Sequence, residues 1–244
     1  MRMIAALRKE SAAAFTSHLD IQRLLQRAFR RAGLPLRYSS GFNPHPLLSF
    51  ATALATGHTS DGEWFEAELE TQPPSPRGEV GAADRGELSP EEFLARTNAQ
   101  LPEGLSIWGA FAAPEGMPSL TKLLLSAKYV LRLHTDVSVT QAQAENALAK
   151  LLAQEEVLVS KKTKEGQKTV DIRPALLDVS LLHADEEGLT LSVTGALTAS
   201  GGLRAELVAQ ALLPILGCSG WTQVHRNSLV FTAPGPWPLA PSPS

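Results

Sequence analysis

The chain has 244 residues and a mass of 26.1 kDa, with 43% hydrophobic and 19% charged residues. This composition excludes general disorder and leaves room for one large domain or two small ones. Lysine and arginine number 22 against 25 acids, a formal net charge of −3, which argues against a globally basic nucleic-acid binder. The total conceals a split: residues 1–50 hold eight basic residues and two acids, +6, whereas residues 51–100 hold three arginines and ten acids, −7.

In chain order, a strand is expected over residues 2–8. Residues 18–32 carry the strongest helical pattern, with Ile21, Leu24, Leu25, Ala28, Phe29 and Ala32 at spacings of three and four. Ser17, with Asp20 three positions on, makes a capping-box variant, and Gly33 followed by Pro35 ends the helix. Strands follow at 36–39, 47–54 and 63–70, the last placing Glu66, Glu68 and Glu70 on one strand face. Prolines and glycines over 71–88 read as a mobile surface loop. Ser89-Pro90-Glu91-Glu92 starts a helix that runs to about Gln100, and a strand at 105–112 closes the first half. The second half reads as strand 126–134, helix 140–153, strands near 156–161, 168–172, 176–183 and 189–196, helix 203–213 and strand 221–231. The tail, 234–244, holds five prolines in eleven residues and is expected to be disordered.

Each half can be written strand–helix–strand–strand–helix–strand, so the pattern predicts an α+β fold of two tandem ferredoxin-like (split βαβ) units with extra hairpins and antiparallel sheets. The first unit would span residues 1–115 and the second 120–233. The alternative is one continuous α+β sheet domain made of the same elements.

Cys218 is the only cysteine, so the chain can form no internal disulfide and cannot hold an iron–sulfur cluster by itself. The N-terminus lacks a signal-peptide core, and prolines and glycines interrupt both long uncharged stretches, 38–60 and 207–225. No membrane span and a cytoplasmic location are expected. The six histidines include no pair at the four-residue spacing of a helical metal site, and no phosphate-cradling glycine motif is present. No metal or cofactor is expected.

The most specific stretch is Ser17-His18-Leu19-Asp20, followed by Arg30-Arg31-Ala32-Gly33-Leu34-Pro35 and then by Gly41-Phe42-Asn43-Pro44-His45-Pro46 with Ser49-Phe50. These residues closely resemble the hallmark of the radical SAM-linked family of uncharacterised proteins. Weaker similarity continues through Val170-Asp171-Ile172-Arg173-Pro174 and Val224-His225-Arg226. In many relatives this domain follows a radical S-adenosylmethionine domain, and the present chain resembles the separate form. The resemblance implies association with a radical S-adenosylmethionine enzyme, one that acts on RNA. Without the cluster-binding cysteines, this chain is not itself expected to be that enzyme.

Each singled-out group has two readings. His18, in the first turn of a helix, is kept neutral by the dipole and could act as a general base; otherwise it caps the helix. Asn43 and His45, held by flanking prolines, make either a preorganised contact or a turn braced by the asparagine side chain. Arg23, Arg27, Arg30 and Arg31 form either a solvated face or a phosphate site that uses bidentate guanidinium bonds. Lys161, Lys162 and Arg173 lie on or beside a hairpin that reads as a protected edge or as a phosphate-tracking finger.

Three functions follow from these readings. The first is a non-catalytic RNA-binding or substrate-presenting module that works with a radical SAM enzyme. The second is a metal-independent endoribonuclease using His18 and His45. The third is a protein-interaction scaffold whose acidic 61–92 region docks a basic partner.

Overall fold

The computed structural model describes residues 1–70, 88–163, 166–198 and 201–232. The loop expected over 71–88, Leu88 excepted, and the tail expected over 234–244 fall outside these residues. The fold is mixed α/β, with strand pairing that is mostly antiparallel. The described chain divides into two compact units, Met1–Thr56 with Asp61–Leu123, and Gly57–Ser60 with Leu124–Thr232.

The first unit holds β1 (Arg2–Lys9), α1 (His18–Arg31), β2 (Leu48–Phe50), β3 (Thr59–Glu68) from its third residue on, α2 (Pro90–Asn98), β4 (Leu105–Ala112) and the single turn α3 (Leu120–Leu123). β1 lies between β4 and β3. Its antiparallel register with β4 pairs Met3 with Ala112 and Lys9 with Leu105, and β2 pairs antiparallel with β3, Phe50 opposite Phe65. The inward residues Met3, Ala5, Leu7, Phe65 and Ala67 meet Ile21, Leu25 and Phe29 of α1 and Phe93 of α2 in one core. The Phe29 ring lies 6.1 Å from Phe65 of β3 and 5.4 Å from Phe93 of α2, so one aromatic side chain joins α1 to both the sheet and the second helix.

The predicted capping of α1 is present: Ser17 Oγ accepts from the Asp20 amide at 3.2 Å, and the Asp20 carboxylate accepts from the Ser17 amide at 3.2 Å. Gly33 follows at φ +64. The strand expected at 36–39 is reduced to two isolated bridges, Leu36 with Leu69 and Tyr38 with Pro46, and the 47–54 strand shrinks to three residues. Pro35, Pro44 and Pro46 lack the amide donors that a longer ladder needs.

The second unit holds β5 (Leu124–Thr135), α4 (Gln141–Leu152), β6 (Leu158–Thr163), β7 (Gly166–Asp171), β8 (Leu176–Asp185), β9 (Gly188–Thr198), β10 (Gly201–Gly202), α5 (Glu206–Leu216) and β11 (Gly220–Phe231). Strands β8, β9, β5 and β11 lie side by side in that order, all antiparallel, and β6 pairs with β7 as a separate hairpin. Gly188 opens β9 at φ +139, where a Cβ would stand 1.9 Å from the Leu133 carbonyl oxygen, so no other residue fits there. The last helix starts and ends three residues later than expected, and it runs through Pro214 to Gly217 at φ +71. Pro214 has no amide to donate to the Gln210 carbonyl, so the helix lacks that one bond and ends at Leu216.

Phe29→Ala should remove the ring that joins α1 to both Phe65 and Phe93. We expect a loss of about 3–5 kcal/mol in unfolding free energy, measurable by denaturant titration followed by circular dichroism.

Candidate functional site

Side-chain alternation along β1 sends Met3, Ala5 and Leu7 into the first unit's core, and Lys9 is the next residue on that face. Along β3 the same rule places Glu63 ahead of Phe65 and Ala67. Both ionisable residues are almost fully buried, Lys9 at 2% exposure and Glu63 at 3%. With His18, Ile21, Phe50 and Leu54 they line a cavity of about 10 Å³, the room of one water molecule. Lys9 Nζ donates to the Thr16 carbonyl at 3.0 Å, tying β1 to the residue before the α1 cap.

His18 reaches this cavity from the first residue of α1, its ring edge-on to Phe50 at 5.1 Å. Burial lowers its pKa below the ordinary 6.5; the Glu63 carboxylate works against that shift, and the Lys9 ammonium adds to it. The imidazole is therefore neutral at pH 7, able to accept or donate one proton. The sequence reading reached this neutrality through the helix dipole, whereas the structure supplies burial as the main cause. Lys9 and Glu63 were not singled out from the sequence. The available signal was parity: each continues an apolar alternation by one step.

The outer face of α1 carries the four arginines. Arg23 lies 3.7 Å from Asp20, a largely exposed pair of small energetic weight. Arg27, Arg30 and Arg31 are exposed, and among the described residues none has an ion-pair partner. Nor do Arg30 and Arg31 serve the helix end. The Ala32 and Gly33 carbonyls accept instead from Arg96, at 3.1 Å from its Nε and 3.0 Å from its Nη2.

The turn after Gly41 is braced by Ser39 and His45. The Ser39 amide donates to the His45 carbonyl at 2.9 Å, the His45 amide donates to Ser39 Oγ at 3.1 Å, and Ser39 Oγ shares a 2.8 Å hydrogen bond with His45 Nδ1. The Asn43 side chain is exposed and takes no part in this bracing. Phe42 is fully exposed on the same turn, and Phe15 is 77% exposed shortly before α1. His18 and His45 are not brought together. His45 lines a second, larger cleft of about 300 Å³ with Arg2, Glu66 and Glu68, whereas His18 lines the small cavity.

In the second unit, Lys161 stands opposite Lys168 in the β6–β7 hairpin, and Lys162 opposite Gln167. The Lys162 side chain lies outside the described residues. Arg173 is half-buried, its amide donating to the Asp171 carboxylate at 2.9 Å and its guanidinium to the Leu176 carbonyl at 3.4 Å, so part of its bonding capacity is used inside the fold. Among the described residues no cluster of three or more His, Cys, Asp or Glu could hold a metal ion, and no helix is long and apolar enough to cross a membrane.

A family model described as "Uncharacterized protein conserved in bacteria (DUF2344)" matches residues 2–204. No curated protein matches the sequence. Similar solved structures include an H/ACA ribonucleoprotein bound to a substrate RNA containing 2′-deoxyuridine (11% identity, TM-score 0.48, covering 93% of this chain and 47% of that one). A Cbf5–Nop10–Gar1 complex (10%, 0.47, 93% and 48%) and the Nop10–Cbf5 complex of the archaeal box H/ACA small ribonucleoprotein (12%, 0.46, 92% and 46%) are also similar. The chain spans about half the length of these structural relatives. Similarity at this level assigns no ligand and no activity.

A histidine whose folded pKa lies below 6.5 binds fewer protons than in the unfolded chain. Its stabilising effect is thus present above pH 6.5 and is lost as the pH falls towards the folded value. Wild-type stability should fall between neutral and mildly acidic pH, and His18→Gln should flatten that part of the profile. Denaturant midpoints over this range, with the His18 ring protons followed by NMR, check both points.

Proposed function

The chain belongs to this bacterial family (DUF2344), and we propose that it is a non-catalytic RNA-binding module that presents its substrate to a radical S-adenosylmethionine enzyme. The carrying observation is the outer face of α1, where Arg27, Arg30 and Arg31 are exposed beside Arg23 and, among the described residues, make no ion pair. Guanidinium groups without internal work suit phosphate oxygens, which they bind through two parallel hydrogen bonds. Exposed Phe15 and Phe42 add aromatic faces on which unpaired bases can stack. The enzyme partnership rests on the sequence resemblance of residues 17–50.

In the same reading, each unit is a ferredoxin-like split βαβ fold, with the boundary near residue 120. The strand orders support it: β2, β3, β1, β4 in the first unit and β8, β9, β5, β11 in the second. Both correspond to the order of second, third, first and fourth strand. Lys161, Lys162 and Arg173 then remain a secondary phosphate-contacting element.

One observation favours the endoribonuclease reading: a neutral, half-buried histidine beside a buried carboxylate and a buried ammonium. In that case His18→Ala would abolish cleavage of RNA by the purified chain. Less supports the scaffold reading, because the described acids of the 61–92 segment include Glu63, which is buried, and Glu66, Glu68 and Glu92, which are paired with arginines.

Binding of single-stranded RNA, followed by fluorescence anisotropy, should weaken linearly in log–log form as salt rises. Replacing Arg27 and Arg30 together by glutamate should lower affinity and reduce the salt slope by about 1.4, the two phosphate contacts removed. Affinity that ignored salt, or a double variant that bound like the wild type, would overturn the proposal.

A further inference from the structure

The cleft beside β2 and β3 differs from the α1 face in that its carboxylates and guanidinium groups are matched. It encloses about 300 Å³, the lower end of the range for small-molecule sites. Pro46, Leu47 and Leu48 supply apolar surface, while Arg2, Glu66 and Glu68 supply the charged groups. Arg2 is held in place, donating to the Met117 carbonyl and lying 3.5 Å from the Glu66 carboxylate. Ser49 Oγ donates to the other Glu66 oxygen at 3.1 Å, so the half of this cleft nearest Glu66 is already organised.

Glu68 differs from Glu66. Its side chain is 38% exposed, and among the described residues its carboxylate accepts one hydrogen bond, from Arg37 Nη1 at 2.8 Å, on Oε2. An ionised carboxylate has acceptor sites for about four hydrogens and can donate none. Oε1 therefore keeps acceptor capacity beside an apolar floor. Each carboxylate has a guanidinium beside it, Arg2 at Glu66 and Arg37 at Glu68, so the cleft carries no surplus positive charge for a phosphate, while the acceptor capacity left on Glu68 suits a planar group with N–H donors on its edge.

We infer that this cleft is a subsite for one unpaired nucleobase, selecting guanine, whose edge presents a ring N–H and an amino N–H side by side. Those two donors face the Glu68 carboxylate, and the base lies against the Leu47 and Leu48 side. Uracil offers a single N–H between two acceptors, and adenine an amino group beside an acceptor, so both leave the carboxylate partly unmatched. The inference deepens the RNA-binding reading by naming what the bound strand shows the protein: phosphates to α1, one extruded guanine to the cleft.

Two measurements on the full chain test it. In the first, a uridine oligonucleotide is compared with the same strand carrying one central guanosine. We expect the guanosine to tighten binding about tenfold, and Glu68→Gln, which turns one acceptor into a donor, to erase that preference, read as the ratio of the two affinities within each variant. In the second, NMR titration with guanosine, inosine and adenosine should rank guanosine tightest, since inosine lacks the amino group. The Arg27 and Arg30 double variant should keep that ranking. If neither strand binds but guanosine still does in a Glu68-dependent way, the RNA reading fails and the cleft stands. Equal affinity for the two strands, equal binding of the three nucleosides, or a preference that survives Glu68→Gln overturns the cleft proposal.

Discussion

The beginning of α1 is held from two sides, and the organisation of the first unit depends on it. From the sheet, buried Lys9 reaches the Thr16 carbonyl; from the helix, Ser17 and Asp20 close the capping box. An ammonium that is 2% exposed must be hydrogen-bonded or lose heavily on burial, so the strand end and the chain before the cap are locked in one position. With that position set, the 3.6-residue period leaves no freedom. Ile21, Leu25 and Phe29 enter the core, His18 meets Phe50 and the small cavity, and Arg23, Arg27, Arg30 and Arg31 point to solvent. The arginine face is thus a consequence of how a lysine is satisfied inside the sheet.

The features legible in the sequence were those governed by near neighbours. Ser17 and Asp20 announced the cap, Gly33 and Pro35 the helix end, and the alternation over 63–70 placed Glu66 and Glu68 on one face, where both meet arginines. Lys9 and Glu63 follow the same period of two, on the faces of β1 and β3 that carry Leu7 and Phe65, but their charge masks the signal because a buried ionisable residue is the exception. What depends on distant partners was not legible. Arg96 finishes α1 from 64 residues away, which is why Arg30 and Arg31 are spare. The bracing of the 39–46 turn by Ser39 was hidden as well, because Asn43, the more usual turn residue, stood in the same segment and turned out to be exposed.

The separation of His18 from His45 bears on chemistry. A two-histidine general acid–base mechanism needs both imidazoles at one reacting group, and here they line different cavities. His18 also faces a space for about one water molecule, while His45 spends Nδ1 on Ser39. Both arrangements serve positioning more directly than bond cleavage: one histidine packs the helix start, the other fixes a turn that carries an exposed phenylalanine.

The charge split of the first hundred residues acquires a physical meaning. The eight basic residues of the first fifty do not face solvent as a group. Arg2 lies 3.5 Å from Glu66, Arg8 lies 3.6 Å from Asp61, and Arg37 lies 2.8 Å from Glu68, each pairing with an acid of the next fifty residues, while Lys9 is buried. Such partly exposed pairs add little to stability, about 0–1 kcal/mol each. Their effect is to cancel charge. Once these four are accounted for, the surplus of the basic segment is confined to α1, where Asp20 pairs with Arg23 and also interacts with the charge of Arg27, while Arg30 and Arg31 have no ion-pair partner among the described residues. A chain with a net charge of −3 can therefore present a concentrated positive face, because charge is distributed along the sequence unevenly and the acids that pair with Arg2, Arg8 and Arg37 belong to β3 and not to that helix.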